Sequence, residues 1–112
     1  MPTDVMELDD LFQALADPTR RAVVERLGRG PASTSELARP FAMALPSFTQ
    51  HLAVLERCGL VASAKAGRVR TYRLSPERLD AAEHWLASQR LVWQQRLDQF
   101  DAYVETMKEN PE

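Results

Sequence analysis

Leu8, Leu11, Phe12 and Leu15 recur three and four residues apart, which predicts a first amphipathic helix over about residues 5–16. Asp17-Pro18 ends it and begins another, because an aspartate caps free N–H groups and a proline suits a first turn where no N–H is needed. Val23, Val24 and Leu27 give this second helix its apolar side, and the Gly-Arg-Gly-Pro-Ala-Ser run stops it. Ser33-Thr34-Ser35-Glu36 then has the spacing of a capping box. The helix it opens must be short, since Pro40 disfavours continuation; Leu37, Ala38 and Phe41 are its apolar contacts. After a tight Phe-Ala-Met-Ala connection, Pro46 opens a helix with Phe48, Leu52 and Leu55 on one face. Ser47, Gln50 and Val54 point the opposite way, Thr49 flanks the leading end, and Gly59 is the expected left-handed cap.

From Val61 the period changes. Two short extended runs around Ala66-Gly67 predict a β-hairpin over residues 61–74, with Tyr72 and Leu74 inward and Lys65, Arg68 and Arg70 crowding the tip. Ser75-Pro76 is expected to cap a final helix over 76–108. Its apolar positions are Leu79, Ala82, Leu86, Trp93, Leu97, Phe100, Val104 and Met107. Their mixed threes and fours suit a face that packs on another helix. About 33 residues would extend about 50 Å if unbroken, more than so small a body covers. The pattern leaves open a break near Ser88, and the Glu-Asn-Pro-Glu end is expected to fray.

A chain of 112 residues is one domain by length, taken as 1–112, with a single modest core. No apolar run approaches the roughly 20 residues a bilayer requires, and the acidic start lacks the basic region of a signal peptide. One cysteine excludes an internal disulfide. A cytoplasmic protein with no membrane partner is the expectation. The net charge of −2 conceals an asymmetry: residues 17–73 hold ten Lys/Arg against four Asp/Glu. Residues 1–16 carry four acids and no Lys or Arg, and residues 74–112 carry eight acids against four bases. A basic centre between acidic ends suits a polyanion.

A short capped helix, a tight turn, a helix with a polar leading end and a basic hairpin together make a winged helix-turn-helix, mainly α with a small β-hairpin. The helix-turn-helix spans 33–58 and the wing 61–74. The major groove of B-form DNA admits an α-helix and displays a readable pattern of donors and acceptors. A helix that reads it needs short polar groups near its N-terminus and apolar anchors behind them. Ser47, Thr49 and Gln50 fit the first role; Phe48, Leu52 and Leu55 fit the second. Lys65, Arg68 and Arg70 on the hairpin suit phosphates or a minor groove.

"LFQALADPTRRAVVERL", "LPSFTQHLAVLERCGLV" and "AGRVRTYRLSPERL" resemble the ArsR-type winged-helix transcriptional repressors over about residues 8–80. The resemblance implies a homodimer that pairs through its first and last helices and represses from operators near promoters. Carried onto this chain, it implies recognition by Ser47, Thr49, Gln50 and His51, with wing contacts from Arg68 and Arg70. The implied dimer face takes in Leu8, Leu11, Phe12, Leu86, Trp93, Leu97 and Phe100. Relatives commonly have Ser-Gln before the proline where this chain has Ala44-Leu45. Metal-sensing relatives carry cysteines in the short third helix or paired ligands on the last. Here "STSELARPF" has neither Cys nor His, and Asp80, Glu83 and His84 have no second histidine to complete a set. The resemblance is thus to the metal-free subset, with no metal, no cofactor and an inducer the sequence does not specify.

Several residues carry a plainer reading beside the functional one. His51 touches DNA or is a half-buried structural histidine; Cys58 is a redox switch or, more simply, a packed thiol. Trp85 and Trp93 read as packing residues before they read as a ligand box. A protein adaptor acting through the long last helix is the alternative function, though it has no need of Arg68, Arg70 and Arg73 together. No nucleophile–base pair or phosphate loop suggests an enzyme, and no catalytic residue is assigned.

Overall fold

The computed structural model describes residues 3–109; side chains are described from Glu7 onward. The expected domain limits at 1 and 112, and the fraying end beyond Glu109, lie outside the described residues. The elements run α1 (Thr3–Leu15), α2 (Pro18–Leu27), β1 (Ala32–Ser33), α3 (Thr34–Ala38), α4 (Leu45–Arg57), β2 (Val61–Ala66), β3 (Val69–Leu74), a 3₁₀ turn (Pro76–Arg78) and α5 (Leu79–Glu109).

Local chemistry accounts for most of these boundaries. Asp17 accepts the Arg20 N–H at 3.0 Å and caps α2, with Pro18 in the first turn. Ser33 and Glu36 complete the capping box: Ser33 N–H donates to Glu36 Oε1 at 2.9 Å, and Glu36 N–H donates to Ser33 Oγ at 3.2 Å. Those contacts hold the Glu36 carboxyl below its usual range, the Ser33 N–H chiefly. Gly59 follows α4 at φ +86°, a backbone conformation that requires glycine, and the Arg78 side chain lies against the space a Cβ would take. The hairpin turns through Gly67 at φ +64°.

The residues up to Ala82 form one compact unit. Phe48, Leu52 and Leu55 of α4 have no exposed surface at its centre, joined by Val23 and Leu27 of α2, Leu37 of α3 and Leu60. Burying each of the three α4 side chains contributes about 1.5–3 kcal/mol. Phe41 stacks on Phe48 with centroids 5.3 Å apart and fixes the turn between α3 and α4. The sheet order is β1-β3-β2, all antiparallel, with Ala32 opposite Tyr72 and Val61 opposite Leu74.

Three expectations change. The sheet has a third strand, β1, because two residues are too few for alternation to reveal. Ser75 does not cap α5: its side chain makes no capping bond, its N–H donates to Leu60 O at 2.7 Å, and a 3₁₀ turn precedes the α-helix. Leu11 belongs to the core of its own chain, 3% exposed, and is not available to a partner; Leu8 packs half-buried against that core. Helical spacing on α1 cannot say which apolar residues face inward.

The second unit, Glu83–Glu112, is carried by α5, which runs its 31 residues without a break at Ser88. Beyond Ala82 none of its described side chains is buried. Leu86, Trp93, Leu97, Phe100 and Met107 are each about half exposed or more.

Candidate nucleic-acid interface

α4 presents its leading end to solvent. Ala44, at the N-cap, offers no side-chain acceptor, and Leu45, Pro46, Ser47 and Gln50 are exposed. The first N–H groups of α4 therefore lack a side-chain cap from Ala44, in a region where the helix dipole favours negative charge. Thr49 is half-buried, its Oγ1 donating to Pro46 O at 3.0 Å. Phe48, Leu52 and Leu55 anchor the opposite face, so the exposed polar groups sit on a rigid base.

The wing comes alongside. A groove of about 440 Å³ is lined by Ser33, Thr34 and Ser35, by Thr49 of α4, and by Lys65, Arg68, Val69, Arg70 and Tyr72 of the hairpin. Thr49, Lys65, Arg68 and Arg70, four residues expected from sequence to contact DNA, thus share one concavity. Lys65 and Arg70 are directly opposed across the ladder. Like charges facing each other there are unfavourable unless an anion lies between or beside them. Arg70 has a partial tether: its Nη1 donates to Ser63 Oγ at 2.8 Å, and that hydroxyl donates to Glu56 Oε2 at 2.9 Å. Tyr72, 6% exposed, holds the wing's base; burial pushes its phenol above its usual range and the Glu56 charge adds to this.

His51 is placed differently. Its ring turns toward α2, Nδ1 lying 3.0 Å from Arg20 Nη1 and 3.7 Å from Asp17 Oδ2. Arg20 itself donates through Nε to Ala14 O at 2.7 Å and through Nη2 to Gln13 O at 3.1 Å, and Arg21 donates to Leu15 O at 2.7 Å. The two arginines of the "DPTRR" run thus cover the last carbonyls of α1. A readable signal existed: two basic residues in the first turn of α2 oppose its dipole, with the Asp17 cap alone to offset them. Their charge suits the C-terminus of the preceding helix instead.

Residues 15–64 match the model of a helix-turn-helix domain family, HTH_20. The chain is 49% identical over 73 residues to the HTH-type transcriptional regulator Rv2034 of Mycobacterium tuberculosis, covering 65% of this chain and 68% of that one. A crystal structure of an ArsR family transcriptional regulator, 55% identical, superposes with a TM-score of 0.78 over 80% of this chain and 92% of its own. The chain belongs to the ArsR family of winged helix-turn-helix regulators. It is also 27% identical over 79 residues to the transcriptional repressor SdpR of Bacillus subtilis, 70% of this chain and 88% of that one. As an ArsR-family member it is a DNA-binding transcriptional regulator, of a group that are regulators and not enzymes. Among the described residues no helix is long and apolar enough to cross a membrane.

Proposed function

We propose that this ArsR-family protein is a homodimeric, cytoplasmic repressor that binds an inverted-repeat operator and acts by occupancy, without chemistry on a substrate. The observation that carries this reading is the groove uniting Thr49 with Lys65, Arg68 and Arg70, beside the exposed Ser47 and Gln50. Ser47 and Gln50 meet base edges in the major groove, Thr49 lies at its wall, and the wing cations follow the phosphates. His51 braces the helix from behind.

The apolar face of α5, with Leu86, Trp93, Leu97 and Phe100 exposed, supports pairing with a second copy; in the first unit Phe12, 36% exposed, is a separate contact we assign to that partner. The two-fold axis sets the paired α4 helices roughly 34 Å apart, one duplex turn. The similarity to a named repressor supports repression as the outcome.

Recovery of genomic fragments by the purified protein, ranked by affinity at fixed salt, tests the reading. Inverted repeats upstream of genes are expected, and no preference over random duplex would overturn it. Arg68→Ala should weaken binding on every sequence and lower the salt slope by about one; an unchanged slope removes the wing from the interface.

A further inference from the structure

Arg20 sits where three elements meet. Two arms of its guanidinium close the end of α1 through Ala14 O and Gln13 O, and the third, Nη1, lies 3.0 Å from His51 Nδ1 on α4. A guanidinium only donates, so Nδ1 accepts here and the ring carries its hydrogen on Nε2. A proton added at Nδ1 would remove that lone pair and set two cations against each other. A second partner stands close by: Asp17 Oδ2 is 3.7 Å from the same nitrogen, and it is the carboxylate that caps α2.

We infer that Arg20 and His51 form a proton-sensitive latch that positions the recognition helix against α1, so that protonation of His51 weakens DNA binding. The inference rests on the DNA-reading role proposed for α4. His51 follows Thr49 and Gln50 directly, so a shift of its ring displaces the residues aimed at the bases. The charged groups around it are Arg20 from α2 and Asp17 from the α1–α2 connection. Asp10 of α1 and Arg57 of α4 share with Arg20 a shallow pocket of about 260 Å³. Two guanidiniums and two carboxylates balance overall, and the group in hydrogen-bond contact is a cation. The imidazole is 22% exposed, enough for a proton to reach it. Nδ1 can accept from Arg20 only while it keeps its lone pair, so the latch is made with the neutral ring and a proton at that nitrogen breaks it. Affinity therefore falls as pH falls.

The experiment measures affinity of the full chain for the tightest duplex selected from a randomised pool, at constant ionic strength, between about pH 8 and about pH 5.5. Circular dichroism at both ends verifies the fold. The wild type should bind about tenfold more weakly at the acidic end. His51→Gln keeps an acceptor for Arg20 without titrating and should bind equally at both, whereas His84→Gln should retain the loss. The sign discriminates, because an added positive charge near a polyanion otherwise raises affinity. A wild type whose affinity is flat or rises on acidification, or a His51→Gln protein that keeps the loss, overturns the latch. If His51→Gln does not fold, NMR titration of the wild-type imidazole decides: His51 must give up its proton on binding duplex, and a ring still protonated in the complex overturns the inference. Failure to prefer any duplex at about pH 8 would instead refute the DNA reading itself.

Discussion

Helices α4 and α5 both carry an apolar stripe, and the chain treats the two in opposite ways. On α4, Phe48, Leu52 and Leu55 are entirely covered by the core, and the leading end with Ser47 and Gln50 is exposed. On α5, Trp93, Leu97 and Phe100 are each more than half exposed along a helix continuous for 31 residues. Exposed apolar faces of that extent mark an interaction surface. A stripe closed within its own chain fixes α4 in one orientation, whereas the open one is the face we propose joins two copies.

Removing the closed stripe should have the largest effect. Phe48→Ala empties the centre of the core and should cost about 3–5 kcal/mol of unfolding free energy, measured by urea denaturation, with DNA binding lost as folding fails. Leu97→Asp should leave the fold of residues up to Ala82 intact by circular dichroism but weaken self-association by about 2–4 kcal/mol in sedimentation equilibrium. A Leu97→Asp protein that remains as tightly associated would show that the open stripe is not the dimer face. Gln50→Ala touches neither stripe. It should relax base preference at one position of each half-site by about 1–3 kcal/mol, read by randomised-site selection.

The smallest effect belongs to the cap that orients α2 beneath α4. Asp17→Ala should cost about 1 kcal/mol. The Arg20 N–H above all, and then the Arg20 charge, outweigh partial burial and hold the Asp17 carboxyl below its ordinary value. The unfolded chain therefore binds this proton more readily than the folded one. The stability Asp17 contributes is present above the ordinary aspartate range, near about pH 4, and is lost as pH falls through the lower folded value. Asp17→Asn should keep most of the cap and flatten that acid limb in thermal melts across about pH 2–5.

Much of this was legible from residue order alone, for definite reasons. The Ser33–Glu36 box, Pro46 and Gly59 act through neighbours in the chain, so their spacing betrays them. The stripe on α4 and the cations of the wing also declare themselves by period and clustering. What stayed hidden depends on distant partners. His51 meets Arg20 across 31 positions, and no local pattern distinguishes a ring turned toward α2 from one turned toward DNA. Leu11 and Phe12 are adjacent letters on α1, yet one is enclosed and the other 36% exposed, a division decided by α1's packing. Ser63 looks like filler in a strand until the fold places it between Glu56 and Arg70.

The two-residue strand β1 has an outcome for how such a molecule can change. Ser33 pairs with Thr71 in the sheet while its hydroxyl starts α3, so the stem of the hairpin is bolted to the helix-turn-helix. The tip beyond the Ala66–Val69 pair bears no such duty. Residues inserted there lengthen the arm without disturbing the stem, making the tip an exchangeable fitting through which new operators come within reach.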